Sequence, residues 1–522
     1  MRVGFVSLYS WRPHVEHLYY LAGLVEQAGH EVRYLTCDAD MPTCYIRQLR
    51  PQRSAVVECT ACRLGGVRSY TNRGVSSIGA LMSDSSSAGS ALEWAASSAS
   101  TIGRFEADAD YESAEFHALN ERLAAPTDIG YRAAKAWIKR EGLDAVVVFN
   151  GRMDGTRGIM EAARDAGIRS ITMERTWFGD GLQLLPDENC LGLKSVNRMV
   201  ADWADVPLTR PQAFRAAGLV AARFLRTNTK EWRAYNTSAS INDWPVAAGK
   251  AKVLLVPGSR NEVWGHPDWE DQWSSRTASY DQLMAHLGLG PDDVVLRAHP
   301  NWAERIGART GELSERFYRQ WAEERGVPMI PSHDNTSTLG LIEQADLVVV
   351  HGGSAALEAG MIGKRIVGLS PSNYQYAGFV ENACSLEELM RIGPIDAAVQ
   401  AQNAHRVASR TLRFCYTSAY RLPQFASYVR CLDPTRYEYF EGAAPQRIID
   451  LIETGYLAPD DDTGAGDEQE ENAVLQLVAE RQWERVMQSA PVPAALKRRK
   501  VTRRPLFRLM DGLRAHMPRG DV

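Results

Sequence analysis

Several things are missing from this sequence, and each absence excludes a class of protein. No apolar run among the 522 residues approaches the length a helix needs to cross a bilayer. The opening residues, Met1–Leu8 (MRVGFVSL), read at once as a strand and lack the basic-then-apolar layout of a secretory leader. Positive charge is not in excess: 59 Lys and Arg stand against 64 Asp and Glu, a formal net charge of −5, which argues against a nucleic-acid binder. These absences lead to the expectation of a cytoplasmic protein. What is present is ordinary for a folded chain, with 45% apolar and 24% charged residues. At this length one core does not suffice, and two domains with appendages are expected.

The order of periodic segments gives the architecture. Arg2–Leu8 is a nearly continuous apolar run, as buried parallel strands are. A helix over roughly His14–Ala28, a closing Gly29 and a strand His30–Cys37 complete the start of a βαβ unit. A Ser/Ala/Gly-rich loop (Ser76–Ser100) leads into helical periodicity over Tyr111–Glu141. Strand Asp144–Phe149, helix Gly155–Gly167 and strand Ile168–Met173 follow. Beyond a polar stretch, Thr229–Gly249, the alternation restarts with strands Lys252–Val256, Asp293–Leu296, Val327–Ile330, Asp346–Val350 and Arg365–Leu369. The pattern predicts an α/β protein of two Rossmann-like, doubly wound domains facing a cleft, with a helical C-terminal tail. The expected divisions are 1–245, 246–433, a helical segment 434–458 packing back across the domains, and 459–522. This last part comprises an acidic linker, an amphipathic helix Asn472–Ser489 and a basic end.

In such sheets the chemistry lies in the loops after strands. Arg297 and His299 (RAHP) follow one strand and can hold a phosphate by charge-assisted hydrogen bonds; a capping His and a surface Arg are the plainer alternative. His351-Gly352-Gly353-Ser354 leads into a helix, where glycines let backbone N–H groups approach an anion. Ser354 can add a hydroxyl, and Glu358, on the same helix face, can accept from ribose hydroxyls. An ordinary strand-to-helix turn also accounts for these residues. In the loop His333–Ser337, Asn335 and Ser337 either bind a nucleotide or cap the next helix. Ser259 and Arg260 (PGSR) place a turn and a cation at the cleft floor. On the other half, Glu174 and Asp180 are candidate bases for deprotonating an acceptor hydroxyl, with Asn150 and Arg152 lining the acceptor side. Exposed loop carboxylates without catalytic duty are the alternative for both acids. No Asp-x-Asp metal motif is evident, so no catalytic metal is expected.

The order PGSR, VVLRAHP and DLVVVHGGSAALEAGMIGKRIVGL resembles the donor half of bacterial capsule-polysaccharide glycosyltransferases, notably the Kdo transferase relatives. In the first half, ITMERTWFGDGLQLLPDENCLG is similar to that group's segment in which a Glu ends a strand. The resemblance covers about half of the chain. It implies a GT-B fold, a nucleotide-sugar donor, commonly CMP-linked, and donor contacts for Arg297, His299, Ser354 and Glu358. It favours Glu174 as the base, whereas an acidic-Gly motif in bacterial sialyltransferases favours Asp180. The acceptor is then a growing glycan or a lipid-linked saccharide. A CDP-glycerol-type phosphotransferase, a non-hydrolysing sugar-nucleotide epimerase and a non-catalytic nucleotide-binding scaffold remain as alternatives.

Two features stand outside this pattern. Cys37, Cys44, Cys59 and Cys62 have the form C-x6-C-x14-C-x2-C, and four thiolates suit a structural zinc or an iron–sulfur cluster; reduced, unliganded thiols are the alternative. At the end of the chain, Lys497–Lys500, Arg503, Arg504, Arg508, Arg514 and Arg519 interleave with Leu506, Leu509, Met510 and Leu513. A basic amphipathic helix of this kind can lie on the anionic inner face of a membrane, which would suit a lipid-linked acceptor. A solvated tail or a subunit contact explains the same residues.

Overall fold

The structure is a computed structural model and describes residues 1–81, 87–231, 240, 243–245, 251–460 and 463–514, the last four without their side chains. The expected boundary at 245/246 abuts the undescribed 246–250, and Arg519 and most of the polar stretch before the second sheet also lie outside the described residues.

Two six-stranded sheets carry the fold. The first contains β1 (Arg2–Ser7), β2 (Glu31–Thr36), β3 (Val75–Ser77), β4 (Ala145–Phe149), β5 (Arg169–Arg175) and β6 (Leu182–Pro186), in the order β3-β2-β1-β4-β5-β6. Only β6 is antiparallel. The second holds β7 (Val253–Val256), β8 (Val294–Arg297), β9 (Met329–Ile330), β10 (Leu347–Val350), β11 (Arg365–Gly368) and β12 (Glu381–Asn382), all parallel, in the order β12-β11-β10-β7-β8-β9. Each sheet has the doubly wound 3-2-1-4-5-6 order, in which the strands' carboxyl ends flank a crevice. Central strands such as β4 and β10 are buried along their whole length, which is why they read as unbroken apolar runs. The short edge strands β3 and β12 and the antiparallel β6 carry no such run, so apolar periodicity does not reveal them.

Close helix packing holds the first half. The 28-residue helix Ala114–Glu141 crosses the helix Asp154–Asp165 at glycines: a Cβ on Gly158 would stand 2.1 Å from the Thr127 carbonyl, and one on Gly130 2.6 Å from that of Gly155. In the second half, alternate residues enter separate cores. Val253 and Leu255 pack on one face with Tyr280 and Trp321. Leu254 and Val348 join, on the other face, a core continuous with that of the first half. Helices Arg210–Phe224 and Ala397–Tyr416 contact each other within that shared core.

The end of the chain differs from the expectation. The acidic stretch is solvated only in part: Asp467, Glu468 and Glu470 are exposed, but two of its acids are engaged. Asp460 pairs with Arg447 at 3.0 Å, and Glu471, 1% exposed, pairs with Arg413 and accepts from Leu208 N at 2.8 Å. The single helix expected over Asn472–Ser489 is two, Glu468–Ala479 and Trp483–Ser489, broken where Arg481 takes φ +56°. Helix Gln446–Thr454 packs back on the first half, and Arg169 Nε donates to the Ile452 carbonyl at 3.1 Å. The basic segment is docked as well. Arg498 pairs with Glu438, Arg499 lies over the Tyr20 ring, and Arg504 N donates to the Ser69 carbonyl at 2.8 Å. Among the described residues no helix is long and apolar enough to cross a membrane.

Candidate functional site

The loop after β4 turns sharply because Asn150 (φ +64°) and Gly151 (φ +70°) both take left-handed backbone, which Asn tolerates and Gly prefers. A Cβ on Gly151 would meet Thr172 at 2.6 Å, so the turn also needs glycine for space. This geometry aims the Asn150 amide at Glu174, near the end of β5. Asn150 Nδ2 donates to Glu174 Oε2 at 2.9 Å, while its Oδ1 accepts from Arg152 N at 3.2 Å, fixing the amide's orientation. His14, at the start of the first helix, brings Nδ1 to 3.6 Å from Glu174 Oε1 and packs its ring on Phe149. Burial raises the Glu174 carboxyl above its usual value, with Arg175, the Asn150 hydrogen bond and Arg152 acting in the opposite sense. Burial and Arg175 press His14 down to about 3, so it is neutral at physiological pH. Cys190 adjoins the same group, its N donating to the Asn150 carbonyl at 2.8 Å.

Asp180 is elsewhere. Its carboxylate pairs with Lys230 at 2.7 Å and accepts from Cys431 N at 2.8 Å, tying the loop after β5 to the hairpin β13 (Val429–Asp433) and β14 (Arg436–Tyr439). Arg152 does not project freely from the acceptor side. Its Nη1 donates to Thr101 Oγ1 at 2.7 Å and to the Glu262 carbonyl of the second half at 3.1 Å.

In the second half, the loops after β8, β7 and β10 are neighbours because those strands are. Trp302 Nε1 donates to Ser259 Oγ at 3.0 Å, joining the first two loops. Gly258 joins the second to the third: a Cβ there would stand 2.4 Å from the His351 carbonyl. Gly352 (φ +76°) and the exposed Gly353 (φ +86°) form the turn before helix Ala355–Met361, and the Ser354 hydroxyl does not cap that helix. His299 is half-buried, and its Nδ1 accepts from Asn301 N at 3.2 Å, which assigns its proton to Nε2. Burial, then Arg104 and Arg297, lower it to about 4, so the imidazole is neutral and not a cation at physiological pH.

Other expected contacts are engaged differently. Arg297, 3% exposed, donates to the carbonyls of Pro331 and, at 3.0 Å, Asp334; it holds the loop after β9 instead of reaching for a phosphate. Ser337 Oγ accepts from Gly340 N at 3.2 Å, so it caps, and the Asn335 carbonyl accepts from Ser240 N at 2.8 Å. Arg260 crosses to the first half, pairing with Asp108 at 2.7 Å. Glu358 is buried against Arg223 at 2.7 Å through Oε1, while its buried Oε2 has no hydrogen-bond partner among the described residues.

The sequence does contain Asp-x-Asp triplets, at Asp38–Asp40, Asp108–Asp110 and Asp460–Asp462, contrary to the expectation. The first two are engaged: Asp38 with Arg68, Asp40 with Gly79 N, Asp108 with Arg260, and Asp110 with the N–H groups of Glu106 and Ala107; residues 461–462 of the third lie outside the described residues. The four cysteines expected to bind metal, Cys37, Cys44, Cys59 and Cys62, all line one cavity in the first half.

His14 was missed although it lies in the loop-to-helix turn after β1, where the strand-end rule applied to the other loops would have found it. Cys190 and Arg223 had no signal, since only the tertiary fold brings them to Asn150 and Glu358.

No protein-family profile and no curated protein sequence matches this chain. Among solved structures, the chain is similar to the β-Kdo 2,4 transferase of Thermosulfurimonas dismutans KpsC, with 14% identity, coverage of 64% of this chain and 88% of that one, and a TM-score of 0.34. The UDP-GlcNAc 2-epimerase of Methanocaldococcus jannaschii, in complex with UDP-GlcNAc and UDP, gives 12%, 78% and 99%, and 0.27. The spinosyn rhamnosyltransferase SpnG gives 13%, 82% and 98%, and 0.28. Likenesses this distant decide nothing about chemistry, which has to be read from the side chains.

Proposed function

We propose that this chain is a metal-independent glycosyltransferase. The second half binds a nucleotide-sugar, CMP-linked by the resemblance of its loops to the Kdo transferase group, and the first half deprotonates an acceptor hydroxyl. The observation that carries the reading is the half-buried Glu174 carboxylate, near the carboxyl end of its strand, oriented by Asn150 and flanked by a neutral His14. A carboxyl whose affinity for protons is raised by burial is a better base at neutral pH. In the second half, the Gly352–Gly353 turn, beside which an added Cβ meets only the Trp269 ring at 3.9 Å or open space, can bring backbone N–H groups to a phosphate, with His299 as a neutral donor and Glu358 Oε2 as an acceptor for a ribose hydroxyl. Stabilising the departing nucleotide through such fixed donors requires no metal.

The acceptor in this reading is a glycan or lipid-linked saccharide at the inner face of the membrane. Helix Pro505–Arg514 supports a surface contact, since Leu506 and Leu509 are each 65% exposed. Sedimentation with anionic vesicles checks that contact; a protein that stays in the supernatant at low salt removes it. The function itself is tested by thermal stabilisation against CMP-, CDP-, UDP- and GDP-linked compounds, because a ligand bound only by the native state raises Tm. Turnover of the stabilising compound with an acceptor follows. Conversion of the sugar nucleotide alone to an isomer would instead make the chain an epimerase, and tight binding with no turnover a scaffold.

A further inference from the structure

The insertion between β2 and β3 contains a helix that lacks the usual means of staying in place. In Ala55–Gly65 the only buried residue is Glu58, held by Arg53 at 3.0 Å and Arg50 at 3.6 Å, while Val56 and Val57 are 76% and 55% exposed. A helix this short gains most of its stability from an apolar face packed on something else, and here that face is missing. In its place the helix presents two thiols. Cys59 and Cys62 are three residues apart, so they share one side.

That side looks into a cavity whose wall includes all four cysteines of the motif, with Leu8, Tyr9 and Met41 among its apolar members. Cys37 directly follows β2, and Cys44 opens the short helix Tyr45–Leu49. The four thiols thus come from three separate stretches of the insertion and converge on one space. As placed, they are spread around the wall: among the described residues no group of three or more His, Cys, Asp or Glu is gathered tightly enough to grip an ion. Binding an ion therefore requires the thiols to draw together around the space that they line. The open space is about 30 Å³, the room of one water-sized sphere, which suits a single ion and not a four-iron cluster. Arg47 also lines the cavity, and Arg50 and Arg53 stand beside Glu58, so positive charge is at hand for a site that four thiolates leave net negative.

We infer that Cys37, Cys44, Cys59 and Cys62 bind one zinc ion tetrahedrally, and that this ion fastens the insertion to the first sheet. Four thiolates leave no open coordination position, so the ion is structural. Its placement gives it a definite task. Tyr45 N, next to Cys44, donates to Asp154 Oδ2 at 2.8 Å, at the start of the helix Asp154–Asp165 that follows β4. At the far end of the same short helix, Leu49 packs directly on Gly307 of the second half. The ion therefore secures the wall that runs from the acceptor-side loops to the opposite half. This inference does not depend on the proposed transfer reaction.

The test is metal content. Full-length protein purified from zinc-supplemented cells without chelator should carry about one zinc per chain, released in proportion as p-hydroxymercuribenzoate titrates the thiols. Cobalt exchanged into the site should give the absorption of a tetrahedral thiolate complex. C59S and C62S should each lose nine-tenths or more of the metal while retaining the native far-UV circular dichroism of the two sheets. Because a variant can fail for want of folding, the mercurial titration of the unaltered protein stands independently. The inference is overturned by four thiols that react freely in a metal-free native protein, by a disulfide among them, by stoichiometric iron with sulfide, or by serine variants that keep their zinc.

Discussion

Arg223 Nη1 donates to Glu358 Oε1 at 2.7 Å, while the remaining edge of the same guanidinium forms a two-pronged bond with Glu231, at 2.9 Å on each arm. One cation therefore neutralises two carboxylates, and it and Glu358 are almost fully buried, with side-chain exposures of 3% and 10%. Removing the cation strands buried negative charge. Arg223→Met is expected to cost about 3–5 kcal/mol, the range for breaking a buried pair from one side. Glu358→Gln keeps an oxygen for Arg223 but replaces the second acceptor, Oε2, with an amide donor. It should cost less than half as much stability and weaken nucleotide-sugar affinity about 10-fold, the loss of one charged hydrogen bond. Melting curves and calorimetric titration separate the two effects. Unchanged affinity in Glu358→Gln would leave Glu358 purely structural.

Arg297 and His299 are two residues apart, yet they are expected to fail differently. Arg297→Met uncovers the Pro331 and Asp334 carbonyls and should lower stability by about 2–3 kcal/mol, with donor affinity changing only as far as the loop loosens. His299→Ala should abolish transfer and leave Tm within a few degrees of the parent. Denaturant melts and turnover assays on the two variants distinguish the roles; a stable, inactive Arg297→Met would restore the arginine to the phosphate.

This contrast marks how far the sequence could be read. The apolar runs of the central strands fixed their places, because a strand buried on both faces has no alternative pattern. The loops that follow them were found by position along the strand, and so were Asn150, Glu174, His299 and Gly353. Position does not say which way a long side chain turns. Arg297 bends back onto carbonyls and Arg152 crosses to Thr101 and Glu262, because a flexible guanidinium goes where unpaired acceptors lie, and those come from distant parts of the chain. Part of the acidic stretch near the C-terminus misled for the same reason. Glu471 is a buried partner of Arg413, which only the fold brings within reach.

Glu174 and Asp180 make a direct comparison of two acids. Glu174→Gln preserves the bond from Asn150 in shape but removes the base, and transfer should fall by about 10²–10⁴-fold, the usual share of general-base catalysis. Asp180 and Lys230 are 26% and 46% exposed, so solvent weakens their pair. Asp180→Asn should change kcat less than about 3-fold and stability by less than about 1 kcal/mol. Steady-state rates on the two purified variants decide between them, and the reverse order of damage would make Asp180 the base.

Glu106 supplies a pH dependence of known sign. It is fully buried at the contact between the halves, accepting from Ser314 Oγ at 2.7 Å and from Arg260 N at 3.2 Å. Burial pushes its carboxyl up to about 7, although Ser314, Arg276 and Arg260 all favour the charged form. An unfolded glutamate titrates near 4.3, so between that value and about 7 the folded protein binds the extra proton. Stability from this group is therefore complete below about pH 4 and is lost as pH rises toward 7, amounting to about 4 kcal/mol at most. Glu106→Gln cannot titrate. The difference in Tm between parent and variant should shrink steadily from pH 5 to pH 8, with the parent losing ground at the higher pH. Two melting-temperature profiles that run parallel across this range would show that Glu106 is already ionised in the folded protein, held so by Arg276 and Arg260.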